Sequence, residues 1–245
     1  MKKYLLIILY LVLISQVNCS SNRYIKEEGA EELVVLIHGI RDKPYIMWKL
    51  EQGLSKSGYS IMNLHYPSVK ADMDSIVSLV HSRLAPRLQD YQKINFVTHS
   101  LGGIVMRAYL HKHKQSNFQR LVMIAPPNKG AIMAERFEDF FIYKWIYGQT
   151  GQKLGKDSTD YWQQIPPPSI DFGIIAGGLG NDKGFNPLIP GDDDGTVGVA
   201  ETKIAGAQDF IVIPGLHTSL LWQNRTLEQV LYFLEYNHFK NQEDN

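Results

Sequence analysis

A serine at position 100 stands in a setting that favours nucleophilic chemistry. Residues 97–103 read VTHSLGG and follow a run of β-forming residues. A strand that ends here and a helix that begins directly afterwards would leave a tight turn, which would present the Ser100 hydroxyl at the carboxyl edge of a sheet. Gly102 and Gly103 would let the turn and the helix pack closely, and the first N–H groups of the helix would point toward an oxyanion formed near the serine.

A nucleophilic serine needs a base, and His217 is the best placed candidate. The stretch IPGLHTSLLW puts His217 after a predicted strand and a Pro-Gly turn, ahead of the last predicted helix. A neutral imidazole takes the serine proton, and an acid behind it fixes its tautomer and stabilises the cation. Other histidines lie on strand, helix or terminal segments with no acid signature, and we expect them to be surface or packing residues: His65, His81, His111, His113 and His238.

Two further segments carry polar groups that have ordinary structural interpretations. In PGDDDGTVGVAET, Asp192, Asp193 and Asp194 are consecutive; such carboxylates are most often solvated turn formers, or occasionally part of a calcium loop. In VVLIHGI, a buried-type strand runs into His38 and Gly39, which by itself is a glycine turn at a strand end.

Taken together, these segments resemble the α/β-hydrolase superfamily, and in particular a bacterial group of lipase-like hydrolases related to triacylglycerol lipases. VTHSLGG is similar to the nucleophile elbow, G-x-S-x-G, although Thr98 stands where the first glycine would be. The order Ser100, Asp194, His217 is the order that this fold imposes on its triad. The segments MIAPPNKG, FNPLIPGDDDGTV and FLEYNHF extend the resemblance over residues 33–239.

The resemblance implies a catalytic triad. Ser100 would be the nucleophile and His217 the base. Asp194, directly before the glycine of an Asp-Gly-x-Val signature, would orient the histidine. Asp193 is the alternative if the turn is shifted by one residue.

The resemblance also implies an oxyanion hole. The backbone N–H groups of Ile40 and Leu101 would bind the same oxygen, because a His-Gly turn occupies the corresponding place in lipase-like hydrolases. His38 and Gly39 would form that turn. His99 would support the elbow, with its side chain pointing away from the reaction.

The elements that must position these residues alternate between β-branched runs and helical stretches. This pattern predicts an α/β fold, a mostly parallel central sheet with helices on both faces. The expected strands are Leu33 to Ile37, Tyr59 to Leu64, Ile94 to Val97, Leu121 to Ile124, Phe172 to Ala176 and Phe210 to Ile213. The first, third and fourth are nearly unbroken apolar runs, which predicts that they form the centre of the sheet.

Three helices follow from apolar spacing and capping signals. One is expected over Ala71 to Leu88, although Pro86 favours an earlier end. A second should follow Ser100. The last should begin near Thr226, where Thr-x-x-Gln suits a capping box with Gln229.

Residues 128–169 interrupt this alternation and are predicted to form a helical insertion. They are rich in aromatic side chains, namely Phe137, Phe140, Phe141, Tyr143, Trp145, Tyr147 and Trp162. These rings either fill the core or form a cap over a lipophilic pocket.

The first residues predict export. Two lysines precede an apolar run over residues 4–17 that is short for a membrane-spanning helix. Cys19, the only cysteine, is either part of an ordinary cleavage site or the lipid-bearing residue of a lipoprotein, and an uncleaved anchor is the third reading. We expect a periplasmic, secreted or membrane-anchored protein whose residues 20–245 form a single domain.

The composition limits the partners. The 25 basic and 25 acidic side chains balance, and the features of a nucleic-acid binder are absent. We expect a serine hydrolase of lipid or other acyl esters that acts on a small, lipophilic ester, with no metal or organic cofactor, and with membrane association through the N-terminus left open. The alternatives are an acyltransferase or thioesterase with the same triad, or a non-catalytic envelope binding protein.

Overall fold

A mixed sheet organises the part of the chain that the computed structural model describes, residues 22–130 and 164–241. Its strands are β1 Arg23–Ile25, β2 Glu32–Ile37, β3 Ser60–Leu64, β4 Lys93–His99, β5 Phe118–Ile124, β6 Asp171–Gly178 and β7 Asp209–Pro214. They lie in the order β1-β3-β2-β4-β5-β6-β7. β1 pairs antiparallel with β3, and every other pair is parallel. All six predicted strands are confirmed, whereas β1 was not predicted.

The predicted sheet centre is also confirmed. β2, β4 and β5 occupy the middle of the strand order. Leu33 and Val35 of β2 face one apolar core, and Val34 and Leu36 face the other. A strand that is buried on both faces needs a continuous apolar run rather than alternation, which is why these strands could be recognised.

Helices cover both faces of the sheet. They are α1 Trp48–Lys56, α2 Met73–Leu84, α3 Leu101–Lys112, α4 Val199–Thr202 and α5 Asn224–Tyr236, with 3-10 turns at Pro44–Met47, Ala85–Arg87 and Ser219–Trp222. α2 and α3 pack on one core, and α1 and α5 pack on the other. α2 ends at Leu84, and Pro86 lies in the 3-10 turn that follows. The predicted extension to Leu88 is therefore wrong, because proline has no N–H to continue the helix, and the earlier end that Pro86 favoured is confirmed.

The predicted capping box at the start of the last helix is wrong. α5 begins at Asn224, its N-cap is Gln223, and no side chain caps it. Thr226 lies inside the first turn and is fully buried, and its hydroxyl has no hydrogen-bond partner. The side chain of Thr226 therefore fills the core beneath the helix instead of capping it.

A buried arginine on α3 joins the two ends of the excursion between β5 and β6. Arg107 donates to the carbonyl and side-chain oxygens of Asn128, both at 3.2 Å, and to the carbonyl oxygens of Ile165 and Pro166. Burial lowers the pKa of its guanidinium to about 10.

Most of the predicted aromatic insertion lies outside the described residues, and so does the predicted export signal with Cys19. No helix in the described ranges is long and apolar enough to cross a membrane.

Candidate active site

Ser100 occupies the sharp turn between β4 and α3. Its φ of 52° and ψ of −124° lie in a region that side chains rarely adopt, and such a conformation costs on the order of 1–3 kcal/mol. Its N–H donates to the carbonyl oxygen of Ile124 at 2.9 Å, and its own carbonyl accepts from the N–H of Gly103 at 2.9 Å. The neighbouring elements therefore hold the strained turn in place.

The two glycines after the serine are required by close packing. A Cβ added to Gly102 would lie 2.4 Å from the carbonyl oxygen of Ile37 and 2.7 Å from that of His38. A Cβ on Gly103 would lie 2.8 Å from the Met123 side chain. The start of α3 thus lies directly against the end of β2, which carries the predicted oxyanion turn.

Thr98 does not disturb the elbow, although the family pattern has glycine there. Thr98 is a regular residue of β4, aligned with Ile37 on one side and Met123 on the other. The left-handed backbone falls on Ser100, so no conformational freedom is needed at Thr98. A Cβ on Gly103 would meet the Thr98 hydroxyl at 3.5 Å, an ordinary contact distance.

His217 and Asp194 form a hydrogen-bonded pair. The Nδ1 atom of His217 lies 2.7 Å from Oδ2 of Asp194, and the backbone N–H of His217 donates to the Asp194 carbonyl at 2.9 Å. The other carboxylate oxygen accepts from the N–H groups of Thr196 and Val197, at 3.0 and 2.8 Å. Because the carboxylate is an acceptor at Nδ1, the proton of a neutral His217 belongs there, and Nε2 is left free to accept another.

The other two aspartates hold the loop. Asp193 is fully buried and accepts from the N–H groups of Asn186 and Gly195, at 3.0 and 2.6 Å. Asp192 accepts from the N–H groups of Leu179 and Gly180, at 2.7 and 2.9 Å. These aspartates are therefore not solvated turn formers, because Asp193 and Asp194 are both buried. The carboxylate that contacts His217 belongs to Asp194 and not to Asp193.

His99 contacts the proposed base, so the prediction that its side chain points away from the site is wrong. Its ring lies 4.7 Å from the ring of His217, and its Nε2 is 3.3 Å from the His217 carbonyl oxygen. Its Nδ1 faces a carboxylate oxygen of Asp42 at 3.5 Å. Burial lowers the pKa of His99. Since His99 directly precedes Ser100, this contact places His217 beside the elbow.

The predicted oxyanion turn, His38 to Ile40, is held on both sides by the loop after β3. Tyr66 donates its hydroxyl to the His38 carbonyl at 2.6 Å, and its ring stacks on His38 at 4.4 Å. The Ser68 hydroxyl accepts from the N–H of Arg41 at 2.8 Å. Ile40 lies between these two anchor points.

Gly39 brings this turn against the elbow. A Cβ on Gly39 would lie 2.7 Å from Asp42 and 3.2 Å from the Cβ of Ser100. Burial lowers the pKa of the adjacent His38 to about 4, so this histidine is neutral at pH 7. Its Nδ1 donates to the Gly39 carbonyl at 2.8 Å, and its Nε2 faces the N–H of Tyr66 at 3.5 Å.

Sequence reasoning missed Tyr66, Ser68 and Asp42 at this site. The signal that could have found Tyr66 and Ser68 is the parallel pairing of β3 with β2, because parallel neighbours end at the same edge of the sheet.

The contacts described for the remaining histidines are with groups other than Asp194. His81 and His113 stack on each other at 3.9 Å, with the Tyr109 hydroxyl 3.4 Å from His81. His65 lies 5.8 Å from the ring of His38. Over the described ranges, no group of three or more acidic, histidine or cysteine side chains is arranged to hold a metal ion.

The fold is that of solved hydrolases, at low sequence identity. The mature form of the Bacillus licheniformis lipase BlEst2 matches with a TM-score of 0.69 at 15% identity, over 89% of this chain and 98% of that one. The metagenomic carboxyl esterase MGS0156 matches with a TM-score of 0.60 at 15% identity, over 79% and 67%. A putative thioesterase from Silicibacter sp. matches with a TM-score of 0.60 at 13% identity, over 82% and 74%. The fold class is therefore that of the α/β-hydrolases, as predicted.

The sequence itself matches the family model described as palmitoyl protein thioesterase, over residues 33–166. The chain belongs to the palmitoyl protein thioesterase family, and it is a hydrolase of the lipase, esterase and thioesterase class. A search of curated proteins finds no match.

Proposed function

We propose that this protein hydrolyses acyl esters through a triad of Ser100, His217 and Asp194. The observation that carries the proposal is the 2.7 Å contact between His217 and Asp194, on a histidine that packs beside the serine elbow. The strained backbone of Ser100 supports it, because strain of this kind is concentrated at functional sites. The His217 side chain is 13% exposed, so it lies at the border of the core and not inside it.

Each residue then has one task. Nε2 of His217 takes the proton of Ser100 as its oxygen attacks the acyl carbonyl carbon, and Asp194 stabilises the resulting imidazolium. The N–H groups of Ile40 and Leu101 bind the oxyanion. His217 returns the proton to the leaving oxygen, which departs as an alcohol. A water then gives a proton to His217 and attacks the acyl-enzyme. His217 passes that proton to the departing serine oxygen, which releases the acid and restores Ser100. These residues need no metal or organic cofactor for the reaction.

A thioester is the second candidate substrate class. The family description favours it, and the same nucleophile and oxyanion hole can attack a thioester carbonyl, with a thiol as the leaving group. The lipase and carboxyl esterase among the similar structures support the oxygen ester. We infer a lipophilic acyl group in both cases. Matched oxygen esters and thioesters of one acyl chain, measured over several chain lengths, test the choice. A flat or inverted chain-length preference would contradict a lipophilic substrate.

The decisive experiment changes the serine. Ser100→Ala should lose ester hydrolysis by several orders of magnitude, and it should no longer react with a fluorophosphonate probe. Ser82→Ala is the matched control, because Ser82 is an exposed helix serine whose hydroxyl bonds only to the Leu79 carbonyl among the contacts described. Parent-level activity in Ser100→Ala would refute the triad. Failure of the parent protein to react with the probe would favour the non-catalytic alternative.

We also infer that the protein is exported, from the charged and apolar pattern of residues 1–19. Mass spectrometry of the mature N-terminus tests this inference and separates three outcomes: a lipid on Cys19, an ordinary cleavage, and an intact N-terminus.

A further inference from the structure

Large exposed apolar side chains are concentrated near one edge of the sheet. In the described ranges they are Tyr45, Trp48, Leu179, Phe185, Leu188, Leu216, Trp222 and Tyr236. All except Tyr236 lie in connections that leave the carboxyl ends of β2, β6 and β7. This is the edge that carries Ser100, Asp194 and His217. Concentrated exposed apolar surface marks an interaction site more often than scattered single residues do.

Three of these residues lie on two turns that are bonded to each other. The indole N–H of Trp222 donates to the Ile46 carbonyl at 3.1 Å, which joins the 3-10 turn Ser219–Trp222 to the turn Pro44–Met47. Tyr45 and Trp48 flank Ile46 in the chain, and each of these aromatic rings is nearly half exposed. Because the only polar atom of the Trp222 side chain is bonded inside the protein, its exposed part is hydrocarbon.

Cationic side chains accompany these rings. Lys43 and Arg225 are exposed, and Lys49 is half-buried. Segments 43–49 and 216–225 contain no acidic residue. The acids nearest to these segments in sequence contact other groups: Asp42 faces His99, Glu51 pairs with Arg23, and Glu228 pairs with Lys240. The chain as a whole has zero net charge, so this local excess of positive charge is a property of the surface and not of the composition. It is assembled from two segments that are distant in sequence.

We propose that Tyr45, Trp48 and Trp222, with Lys43 and Arg225 beside them, bind the surface of a phospholipid bilayer that carries anionic headgroups. We call these five residues the aromatic-basic patch. Tryptophan and tyrosine rings favour the boundary between headgroups and acyl chains. A basic side chain near an anionic leaflet contributes about 1 kcal/mol. An acidic protein would satisfy the charges, but three exposed aromatic rings, with the indole N–H of Trp222 bonded inside the protein, favour a layer into which hydrocarbon can insert.

The patch adjoins the proposed catalytic residues without including them. The turn Ser219–Trp222 follows His217 almost directly, and Lys43 follows the oxyanion turn in the same way. A bilayer held at the patch would therefore lie beside Ser100. The binding itself does not depend on catalysis, so it can be tested in a protein that lacks the nucleophile.

The test uses full-length Ser100→Ala protein and co-sedimentation with vesicles of phosphatidylcholine, alone or mixed with phosphatidylglycerol. We expect binding to the mixed vesicles to be about tenfold tighter than to neutral ones and to weaken with salt. Adding Trp48→Ala and Trp222→Ala together should weaken binding to the mixed vesicles by a factor of about ten. Adding Trp222→Phe, which keeps a ring but loses the N–H, should change it little. All variants share one N-terminus, so differences between them report the patch.

Tyr236→Ala is the matched control, because Tyr236 is 51% exposed and lies at the end of α5, outside the patch. In the Ser100→Ala background, it should bind the mixed vesicles as tightly as Ser100→Ala alone. The tryptophan variants should unfold in urea in one cooperative transition, as the parent does, which would show that they are folded. Absence of vesicle binding, or binding that the two tryptophan changes leave intact, would overturn the proposal and leave the patch to a protein partner. Equal binding to neutral vesicles would overturn the anionic assignment. None of these results depends on whether Ser100 is a nucleophile.

Discussion

The Tyr66 hydroxyl donates a 2.6 Å hydrogen bond to the carbonyl oxygen of His38. This bond fixes the backbone of the predicted oxyanion turn from one side, and the Ser68 hydroxyl fixes it from the other through the N–H of Arg41. The Ile40 N–H lies between them, so its direction depends on two side chains that never touch the substrate in the proposed mechanism. Tyr66 and Ser68 are positioning residues in that sense.

Tyr66→Phe should therefore lower kcat by about tenfold with little change in KM. The ring and its stacking on His38 remain, but the turn loses its anchor, and bonds to an oxyanion matter mainly in the transition state. Steady-state kinetics on a soluble ester measure this split. Tyr91→Phe is the control, because the Tyr91 hydroxyl pairs with that of Tyr24, outside the proposed site. An unchanged kcat in Tyr66→Phe, with Ser100-dependent activity intact, would show that the turn holds its shape without this bond.

The three consecutive aspartates should respond differently to the same change. Asp194→Asn should lower kcat by a factor on the order of 10³–10⁴, because an amide no longer fixes the tautomer of His217. Asp193→Asn should instead lower the free energy of unfolding by about 1–3 kcal/mol, because its buried carboxylate serves two backbone N–H groups. Asp192→Asn serves as the neighbouring comparison. Kinetics and urea unfolding of all three distinguish the roles, and equal kcat losses in Asp193→Asn and Asp194→Asn would contradict them.

Restoring the family glycine should not improve the enzyme. Thr98→Gly is expected to leave kcat within about twofold, because the strained backbone lies at Ser100. It should lower the free energy of unfolding by about 1–2 kcal/mol, because glycine in a buried strand loses packing and gains unfolded-state entropy. Thr98→Val should be nearly neutral, since the hydroxyl of Thr98 is a distant 3.5 Å from the Val122 carbonyl. A marked rise in kcat for Thr98→Gly would show that the threonine impairs the elbow.

Acid should destabilise the protein partly through His38. Burial lowers its pKa from 6.5 to about 4. Above pH 6.5 the residue is neutral in both states, and its contribution to stability is fully present. As the pH falls from 6.5 to 4, the unfolded chain takes up a proton that the folded chain resists, which costs about 3 kcal/mol of unfolding free energy by pH 4.

His38→Gln should make the decline in unfolding free energy between pH 6.5 and 4 shallower, as urea titrations at a series of pH values would show. Part of the decline should persist, because burial also lowers the pKa of His99. His111→Gln, on the exposed end of α3, is the control and should follow the parent curve. Identical slopes in the parent and in His38→Gln would mean that His38 is protonated without resistance in the folded state.

The parts of the fold that the sequence predicted are those whose burial is uniform. β2, β4 and β5 are covered on both faces and read as apolar runs. β1 escaped prediction because it is a short edge strand with a half-exposed surface. α1 escaped because Gly53 lies in its interior, and glycine is a poor helix former. The structure gives the reason: a Cβ there would lie 2.3 Å from the Leu227 side chain on α5, so the glycine allows two helices to pack closely.

At the site, the family resemblance supplied the residues, but it could not supply their neighbours. Asp194 could be chosen from its place before a glycine. The roles of Tyr66 and Ser68 depend on β3 lying beside β2, and the contact of His99 with His217 depends on two loops meeting at the sheet edge. Such contacts join positions that no local pattern connects.

The Arg107 guanidinium has a consequence for how this chain can change. It donates to Asn128 on one flank of the excursion and to Ile165 and Pro166 on the other. It projects from α3, the helix that begins directly after Ser100. The residues that flank positions 131–163 on both sides are thus held by one side chain of α3. Grafting a segment of another length between these flanks should therefore leave Ser100 in register, which makes this position the natural place to insert new sequence.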